Sequence, residues 1–521
     1  MTPLTTEQLV ERYGDSYKWY ATATVMVGTI AMVLSATIVN VALPDIMGEF
    51  GMGQDKVQWL STAFLASMTA TMLATAWATA SFGRRTTYSL ALLVFILGSI
   101  LGGFSPNDDV LIFARALQGA AAGLVQPLAM VVIFQAFPAN RRGMAMGIFG
   151  VGVILAPALG PTLGGMLIDN YSWRYVFFLG PPFCVGGIFL AQFFLATESA
   201  DHVTPFDWLG FISLSTSIAS FLTALSNGQR MGWDSDLVTG SFLLALFSTA
   251  SFIWQELRTP SPIVALRLYL NPRFLAASAV AFILGLGLFG STYLIPLFVQ
   301  TVQGYTPTES GLLLMPAGIA LGCIFPLAGR LSDHIAPHVL ILIGLFLFGL
   351  SSFLMTDVDT STDFWTFAGW IVVGRVGLGF ILPSLNSGAL RVLDHSLVSQ
   401  GAGTINFVRQ LGGAVGVSLL SVYLERMTTL YSSEFNDLQT GGHAAADTLD
   451  LIASLLLRAG VFDNINFAMR TNEAYLFFSR MITAQASVLG FRECFLFVSM
   501  VFFAAVIPAW FMRPGRTKRD D

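Results

Sequence analysis

Three arginines lie inside long apolar stretches of this 521-residue chain. Arg115, Arg375 and Arg409 each fall within a stretch long enough to cross a bilayer, and these stretches hold no Asp, Glu or Lys. An arginine near the middle of a membrane costs roughly 2.5 to 3.5 kcal/mol on insertion scales, so it must face a polar cavity or a hydrogen-bonding neighbour. The arginines therefore either line a polar pathway, or they bond carbonyls and water and fix the helices in place.

Polar residues of a neighbouring stretch lie at similar depths. At helical rise Arg115 is about 8 Å from the outer end of its stretch, while Asn40 and Ser35 are about 7 and 14 Å from the same surface. Either could hydrogen-bond Arg115, although neither neutralises it. Arg375 lies nearest mid-depth, and Arg409 is about 10 Å from the opposite face, which its long side chain could reach. The candidate pathway residues are Arg115, Asn40, Ser35, Gln118, Arg375 and Arg409.

The composition indicates that membrane helices position these residues. Only 11% of the residues are charged and the mean hydropathy is +0.70. Apolar runs of about 20 residues, the length that spans a bilayer, recur along the chain. We therefore predict an all-α polytopic membrane protein in contact with lipid. The net charge of -5 says little about other partners, because the charges fall in the loops.

Neither the lysines nor the potential metal ligands form a catalytic pattern. Lys18, Lys56 and Lys518 do not follow a glycine, so the chain has no P-loop and is not itself an ATP-driven pump. The five histidines are scattered without ligand spacing, and the three cysteines fall inside apolar stretches. We expect no enzyme activity, no cofactor, no metal and no nucleic acid partner.

Fourteen apolar stretches are predicted to span the membrane. The weakest is 208–226, whose serine and threonine content lowers its hydropathy. An even number of spans puts both ends of the chain on one side. The predicted spans are 19–44, 57–82, 86–104, 110–137, 143–168, 175–197, 208–226, 237–254, 274–303, 310–329, 338–356, 364–390, 401–424 and 494–512.

Arginine and lysine identify the cytoplasmic side, because cytoplasmic loops are enriched in them. One side carries 15 such residues, among them Arg84 and Arg85, and the short loops of the other side carry three. Both termini are therefore predicted to be cytoplasmic. Omitting both 208–226 and 237–254 would leave twelve spans with the same orientation, which is the main alternative.

The spans divide into two similar halves and an inserted pair. Arg115 and Arg375 lie in the fourth span of each six-span half, so a 6+2+6 arrangement fits a central site that opens to alternate sides. The long external segment is either a helical extension of its flanking spans or a docking surface for an extracytoplasmic partner. The predicted parts are a cytoplasmic segment 1–18, an N-terminal bundle 19–197, an inserted pair 208–254, a C-terminal bundle 274–512 that includes the external segment 425–493, and a cytoplasmic tail 513–521.

Small residues form a stripe in the fifth span. Gly152, Ala156, Gly160 and Gly164 recur every four positions, so a neighbouring backbone can approach closely along one helix face. Pro161 lies beside the stripe and supplies a bend point that a membrane bundle tolerates. The fifth span is therefore predicted to pack tightly and to flex.

Five motifs follow one another along the chain. They are TIVNVALP (37–44), LIFARALQG (111–119), GPTLGG (160–165), WRYVFF (173–178) and NFVRQLGGAVG (406–416). In this order they resemble the 14-helix drug:proton antiporter branch of the major facilitator superfamily, and most closely the EmrB-type efflux permeases. The resemblance implies the major facilitator fold and a functional role for Arg115. It also implies a conformational switch that comprises Gly160, Pro161, Gly164, Gly165, Arg84, Arg85 and Asp333.

Two positions depart from the family pattern. Family members usually carry an aspartate, thought to take part in proton coupling, where this chain has Ser35. The loop after the second span normally reads GxLADRxGRR, but residues 76–85 read AWATASFGRR, whereas the second-half counterpart GRLSDHIA retains Asp333. Because arginine cannot exchange a proton in a protein, coupling would need a carboxylate at a span end. These are Asp45, Asp169, Glu309, Asp333 and Glu425.

The resemblance implies a secondary transporter of the inner membrane that exports amphipathic drugs or toxic compounds by proton antiport and alternating access. It also implies a periplasmic membrane-fusion adaptor and an outer-membrane channel as partners. Because the spans hold arginines and no acids, we expect neutral or anionic substrates to be preferred over organic cations. Two alternatives stay open, namely a transporter with weak or no proton coupling and a transporter-like sensor without flux.

Overall fold

The computed structural model describes residues 6–52, 59–197, 205–259, 262–305, 307–440 and 467–513. Within these ranges the regular elements are helices, as the composition requires. The α-helices are α1 (Thr6–Tyr13), α2 (Tyr17–Phe50), α3 (Trp59–Phe82), α4 (Arg84–Gly103), α5 (Asp108–Ala136), α6 (Arg142–Asn170), α7 (Tyr175–Phe178), α8 (Gly180–Phe194), α9 (Trp208–Met231), α10 (Asp236–Glu256), α11 (Pro272–Thr301), α12 (Pro307–His334), α13 (Pro337–Leu354), α14 (Phe364–Arg391), α15 (Val398–Thr440), α16 (Phe467–Ala504) and α17 (Val506–Phe511).

The helices confirm the prediction of fourteen spans. Thirteen helical segments of the described chain are long and apolar enough to cross a membrane, and α6, with 29 residues, adds the fourteenth. The twelve-span alternative is wrong, because α9 and α10 have 24 and 21 residues. At helical rise those lengths exceed the roughly 30 Å of a bilayer core.

Hydroxyl groups join the two inserted helices, α9 and α10. Ser217 Oγ lies 2.6 Å from Thr249 Oγ1, and Ser213 Oγ lies 3.3 Å from Ser251 Oγ. The residues that lower the hydropathy of the seventh span therefore face a partner helix, where hydroxyl hydrogen bonds stabilise membrane helix pairs. A small apolar cluster, which includes Phe252, connects this pair to α3 and α15.

Two helices are longer than the spans predicted at 401–424 and 494–512. The helices α15 and α16 contain 43 and 38 residues. Hydropathy detects only the part of a helix that lipid surrounds, so polar helical turns beyond the bilayer escape it. The helix α16 ends at Ala504 and α17 follows, because Pro508 has no N–H to donate to the Ala504 carbonyl.

The extensions of α15 and α16 pack against each other outside the predicted spans. A side chain at Gly490 would lie 2.7 Å from Thr428 Oγ1, and the Tyr431 hydroxyl donates to Glu493 Oε1 at 3.2 Å. The helical-extension interpretation of segment 425–493 thus holds for its described residues. The apolar run 449–457 lies outside them, and docking of an adaptor on this segment stays a prediction.

Buried apolar side chains form two large clusters. One includes Phe64 and Phe95 and is drawn mainly from α2 to α8. The other includes Phe298 and Phe348 and comes from α11 to α17. Each cluster is the core of a six-span bundle, so most stabilising packing lies within a bundle and the contacts between bundles can change.

A polar contact closes the outer end of the N-terminal bundle. Arg174 Nη2 donates to Glu49 Oε1 at 2.7 Å, and Trp173 Nε1 donates to the other carboxylate oxygen. Arg174 Nη1 also donates to the carbonyls of Gly103 and Ser105. These bonds lower the pKa of Glu49, chiefly through the hydrogen bond from Trp173 and then through that from Arg174.

This contact predicts a pH-dependent stability. A carboxyl group whose pKa is lowered by folding stabilises the protein at neutral pH and loses that contribution as the pH falls through the lowered value. Glu49→Gln should therefore lower the melting temperature at pH 7, and the difference from wild type should shrink below about pH 4.3, the ordinary value for a glutamate. Fluorescence melts of detergent-purified protein test this. A difference that stays constant down to pH 3 would contradict it, and Glu11→Gln, at an exposed position, is the control.

Candidate functional site

Arg115 is enclosed within the N-terminal bundle. Its side chain is 0% exposed, and its guanidinium lies 4.3 Å from the centre of the Phe64 ring. Nε donates to the carbonyl of Leu60 at 3.1 Å. Nη1 donates to the carbonyl of Ser35 at 3.2 Å and to Oε1 of Gln118 at 2.9 Å. The arginine thus ties α2, α3 and α5 together through uncharged acceptors.

No carboxylate of the described residues pairs with Arg115. Gln118 Nε2 donates to Ser99 Oγ at 2.8 Å, and Arg115 Nη2 has no hydrogen-bond partner among the described residues. Ser35 contributes its carbonyl rather than its hydroxyl. The side chain of Asn40 lies outside the described part of the structure. The positive charge is therefore offset by oriented dipoles and not by a counter-ion.

Arg375, the counterpart of Arg115, lies inside the C-terminal bundle in a different environment. It lines a cavity of about 20 Å³ with hydroxyl-bearing neighbours that include Ser291 and Ser352. A cavity of this size holds about one water molecule. Within the described ranges its guanidinium has no hydrogen-bond partner. Arg115 and Arg375, which occupy matching positions in the two halves, therefore have different surroundings.

Arg409 does not reach the cytoplasmic surface that its length would allow. Its side chain is 6% exposed, and Nη2 donates to Asn406 Oδ1 at 2.7 Å. Asn406 Nδ2 in turn donates to the carbonyl of Ala402 at 2.9 Å and contacts Met130 Sδ of the other bundle at 3.1 Å. Arg409 therefore braces a residue that contacts the opposite bundle.

The carboxylate of Asp333 joins the two bundles at their cytoplasmic ends. Its Oδ1 accepts from the Gly143 N–H at 2.6 Å and its Oδ2 from the Met144 N–H at 3.0 Å. These are first-turn donors of α6, which have no partner within their own helix. An anion at a helix N-terminus is also favoured by the helix dipole. Arg391 completes the site with an ion pair of 2.9 Å to Oδ1.

Close backbone packing reinforces this junction. A side chain at Gly147 would lie 2.6 Å from the Phe325 carbonyl, and one at Gly329 would lie 2.7 Å from the Gly143 carbonyl. Only glycine therefore permits α6 and α12 to approach in this way. We call these contacts, together with those of Asp333, the cytoplasmic gate.

The gate is closed in this structure. Hydrogen bonds between the bundles within the described ranges lie near the cytoplasmic ends of their helices, as between Thr79 and Ser399 at 3.4 Å. The others are those of Asp333 and Asn406. The described helices of the two bundles are therefore joined at their cytoplasmic ends.

The equivalent position in the N-terminal half has no carboxylate. Ala80 occupies the place that Asp333 takes in the motif, and a cavity of about 330 Å³ opens there. Arg84, Gln135 and Ser399 are among its lining residues. Arg85 instead binds within its own bundle, to Gln192 and to Thr197 Oγ1. The gate is therefore asymmetric, as the altered motif predicts.

The small-residue stripe of α6 packs on α2. A side chain at Gly164 would lie 2.8 Å from Ile38 Cγ1, and Gly160 faces Thr37. Pro161 and Gly165 lie in the same helix, and their packing is outside what the structure describes. One glycine helix thus contacts its own bundle with its outer half and the opposite bundle with its cytoplasmic half.

Two buried acids at the inserted pair escaped the sequence analysis. Asp207, just before α9, and Glu256, the last residue of α10, are 7% and 5% exposed. Glu256 Oε1 accepts from the Ile263 and Val264 amides at 3.2 and 3.4 Å. Asp207 Oδ2 is buried without a partner. The sequence does place one acid at each end of the inserted pair. The predicted spans 208–226 and 237–254 left both acids in loops, so their burial was not expected.

The acids predicted at span ends occupy less protected sites. Asp45, Glu309 and Glu425 are exposed, and the side chain of Asp169 is outside the described set. Asp333 is engaged in the gate. Asp207 and Glu256 are thus the enclosed carboxyl groups near the inserted pair that carry no basic partner among the described residues.

Comparisons with known proteins agree with this geometry. The family model described as Major Facilitator Superfamily matches residues 25–417. The relative named Uncharacterized MFS-type transporter YhcA of Bacillus subtilis is 28% identical over 94% of this chain and 92% of its own. The Multidrug resistance protein B homolog of Mycobacterium tuberculosis is 30% identical over 75% of this chain and 73% of its own.

Solved structures show the same fold. The human organic anion transporter MFSD10 superposes with a TM-score of 0.61 at 13% identity, over 95% of this chain and 99% of its own. The proton:xylose symporter XylE gives a TM-score of 0.57 at 13% identity, over 92% of this chain and 95% of its own. At such identities the likeness concerns the fold alone.

The gate geometry predicts the effect of Asp333→Asn. The amide keeps the shape of the side chain but removes the charge that binds Arg391 and the end of α6. We expect the ratio of gate-closed to gate-open molecules to fall at least about tenfold, equivalent to ~1.4 kcal/mol. Spin labels at Asn140 and His334, both exposed, would report a longer distance by pulsed electron resonance.

Asp363→Asn is the matched control for this experiment. Asp363 also accepts two helix N–H groups, from Trp365 at 3.0 Å and Thr366 at 3.2 Å, but it does so within one bundle at the outer end of α14. Asp363→Asn should leave the distance between the two spin labels unchanged. Equal distance distributions for Asp333→Asn and wild type would show that the carboxylate does not hold the gate.

Proposed function

Because this chain is a multi-pass transporter belonging to the major facilitator superfamily, we propose that it exports amphipathic compounds by proton antiport. The observation that carries the proposal is the cytoplasmic gate, where reversible contacts close one end between two separately packed bundles. Such a junction is what alternating access around a central site requires.

The names of the relatives support export of toxic compounds. The M. tuberculosis relative is named as a multidrug resistance protein. A further relative, 26% identical over 76% of this chain, is the lincomycin resistance protein LmrB of Listeria monocytogenes. We therefore propose that this chain moves amphipathic drugs or toxins out of the cell.

Unpaired positive charge supports a preference for neutral or anionic substrates. Arg115, Arg375 and Arg409 have no acidic partner among the described residues, and the helices around them are apolar. Fixed charge in surroundings of low dielectric attracts opposite charge and repels like charge over a long range. Organic cations are therefore expected to be poorer substrates.

Proton coupling is proposed to use Asp207 and Glu256 in place of the absent first-span carboxylate. Two carboxylates brought together resist ionising together, so a pair can share a proton. Gln255 donates to Asp207 at 2.9 Å and Glu256 is the next residue in the chain, so the two acids lie at the same end of the inserted pair. The apolar cluster containing Phe252 connects this region to α15, whose Ser399 and Asn406 contact the N-terminal bundle. Protonation here would thus act on the helix that carries Arg409.

We also propose an inner-membrane location and docking of a periplasmic adaptor on the extensions of α15 and α16. The described extensions support this, because they project as a helix pair beyond the bilayer core. An outer-membrane channel would complete the route. Bacterial fractionation and cross-linking from position Leu430, which is 43% exposed, test this part of the proposal.

Substrate charge can be tested in proteoliposomes. We expect an anionic amphiphile to be transported at least about fivefold faster than a quaternary ammonium compound of similar size, a difference of ~1 kcal/mol. Arg409→Met should reduce this ratio, because it removes an enclosed charge. Arg492→Met is the control, since that arginine donates to the Val358 and Asp357 carbonyls elsewhere in the C-terminal bundle. Faster transport of the cation by wild type would refute the preference.

Proton coupling has its own test. An imposed pH gradient should accelerate transport by wild type, and Glu256→Gln, which imitates a permanently protonated acid, should bring the rates with and without the gradient together. Asp207→Asn should have the same direction of effect. Glu425→Gln, at an exposed acid, should keep the stimulation. If the pH gradient does not change transport by wild type, proton antiport is wrong. If Glu256→Gln and Asp207→Asn are both still stimulated by the gradient, another residue carries the proton.

A further inference from the structure

Two amide side chains occupy equivalent positions in the two bundles. Gln126 follows Arg115 by eleven residues in α5, and Asn386 follows Arg375 by the same interval in α14. Eleven residues make about three helical turns, so each amide lies near the face of its arginine and about 16 Å closer to the cytoplasmic end. The two helices are the fourth spans of their halves.

Both amides are buried with unused hydrogen-bonding groups. Gln126 is 6% exposed and Asn386 is 1% exposed. Oε1 of Gln126, and both Oδ1 and Nδ2 of Asn386, have no partner in the described structure. Buried polar groups are nearly always satisfied, because an unpaired one carries a desolvation penalty. Two such groups at matched positions suggest that another state of the protein satisfies them.

Their neighbours place both residues at the cytoplasmic gate. Met130, one turn after Gln126, contacts Asn406 of the C-terminal bundle. The helix α14, which carries Asn386, packs against α6 of the N-terminal bundle, and Leu390, one turn after Asn386, belongs to the buried apolar cluster drawn mainly from that bundle. Residues four apart share a helix face. Each amide therefore lies on a face that the opposite bundle covers while the gate is closed.

We propose that Gln126 and Asn386 form a substrate-binding site that is exposed when the gate opens to the cytoplasm. An amide both donates and accepts hydrogen bonds, so the site suits a hydroxyl, amide or carboxyl group at the polar end of an amphiphile. Capture of the polar end there would precede movement toward the centre of the protein. This inference rests on the proposed export function, which supplies substrate from the cytoplasm.

Near-isosteric apolar variants test the binding role. Gln126→Met and Asn386→Leu should each raise the KM of a hydroxyl-bearing substrate at least about fivefold. They should leave the KM of its analogue without the hydroxyl group unchanged. The melting temperature should stay equal or rise, because an unpaired buried group is removed, whereas a merely structural role predicts a lower one. Asn227→Leu is the control, since that amide donates to the Thr223 carbonyl in α9.

An accessibility measurement tests exposure independently of transport. With Cys184, Cys323 and Cys494 replaced by alanine, Gln126→Cys and Asn386→Cys are treated with a membrane-impermeant maleimide from the cytoplasmic side. Labelling should rise at least about tenfold when Asp333→Asn opens the gate.

The two measurements separate failure of this inference from failure of the proposed function. If wild-type protein shows no flux but labelling still rises on Asp333→Asn, the result rejects export and supports exposure of the site. The inference would be overturned if labelling were equally fast in the wild-type and Asp333→Asn backgrounds while the spin labels report that Asp333→Asn opens the gate. An equal rise in KM for both substrates would overturn it too, because it would reveal a loss of shape rather than of hydrogen bonds.

Discussion

One carboxylate, that of Asp333, determines how the two bundles meet. It satisfies two N–H groups at the start of α6 that their own helix cannot satisfy, and it binds Arg391 of the neighbouring helix. The Asp333 side chain is 5% exposed and that of Arg391 is 29% exposed, so water screens the pair only in part. Backbone contact between glycines requires these ends to meet closely, and the carboxylate gives the contact a specific geometry. Closure of the cytoplasmic end follows from this combination.

The buried arginines obey a different constraint. A membrane bundle has no water with which to solvate a guanidinium, and Arg115 meets this demand with carbonyls of two other helices and an amide. A carboxylate would hold the charge more strongly, but it would also cancel the field. Carbonyl dipoles permit a dry arginine to keep its positive potential. The absence of an acid at Ser35 is consistent with that arrangement, because Arg115 uses the backbone oxygen of Ser35.

The sequence predicted the helices well because hydropathy and length decide them in a bilayer. It also identified Asp333 as a switch residue, through a motif, but not the α6 amides that it binds, which lie 190 residues earlier in the chain. Asp207 and Glu256 were missed because their burial depends on how the two ends of the inserted pair and the segment after it fold together, as in the bonds from Gln255 to Asp207 and from Ile263 to Glu256. A helical extension was one of two interpretations of segment 425–493, and hydropathy could not decide between them because the extensions of α15 and α16 pair with each other instead of with lipid. What sequence reasoning could not reach was therefore contact between distant segments.

Alternating access requires that closure of either end be reversible, and the asymmetry of the gate bears on this balance. Shifting a two-state equilibrium from 1:99 to 99:1 takes about 5.5 kcal/mol of differential binding. Two carboxylate contacts of the Asp333 type would stabilise the closed end by more free energy, which substrate and proton binding would have to overcome. With Ala80 at the second position there is one such carboxylate contact at the described interface, and unpaired Gln126 and Asn386 oppose closure. A closed end that some groups stabilise and other groups penalise can reopen when a ligand binds, which a fully satisfied interface would resist.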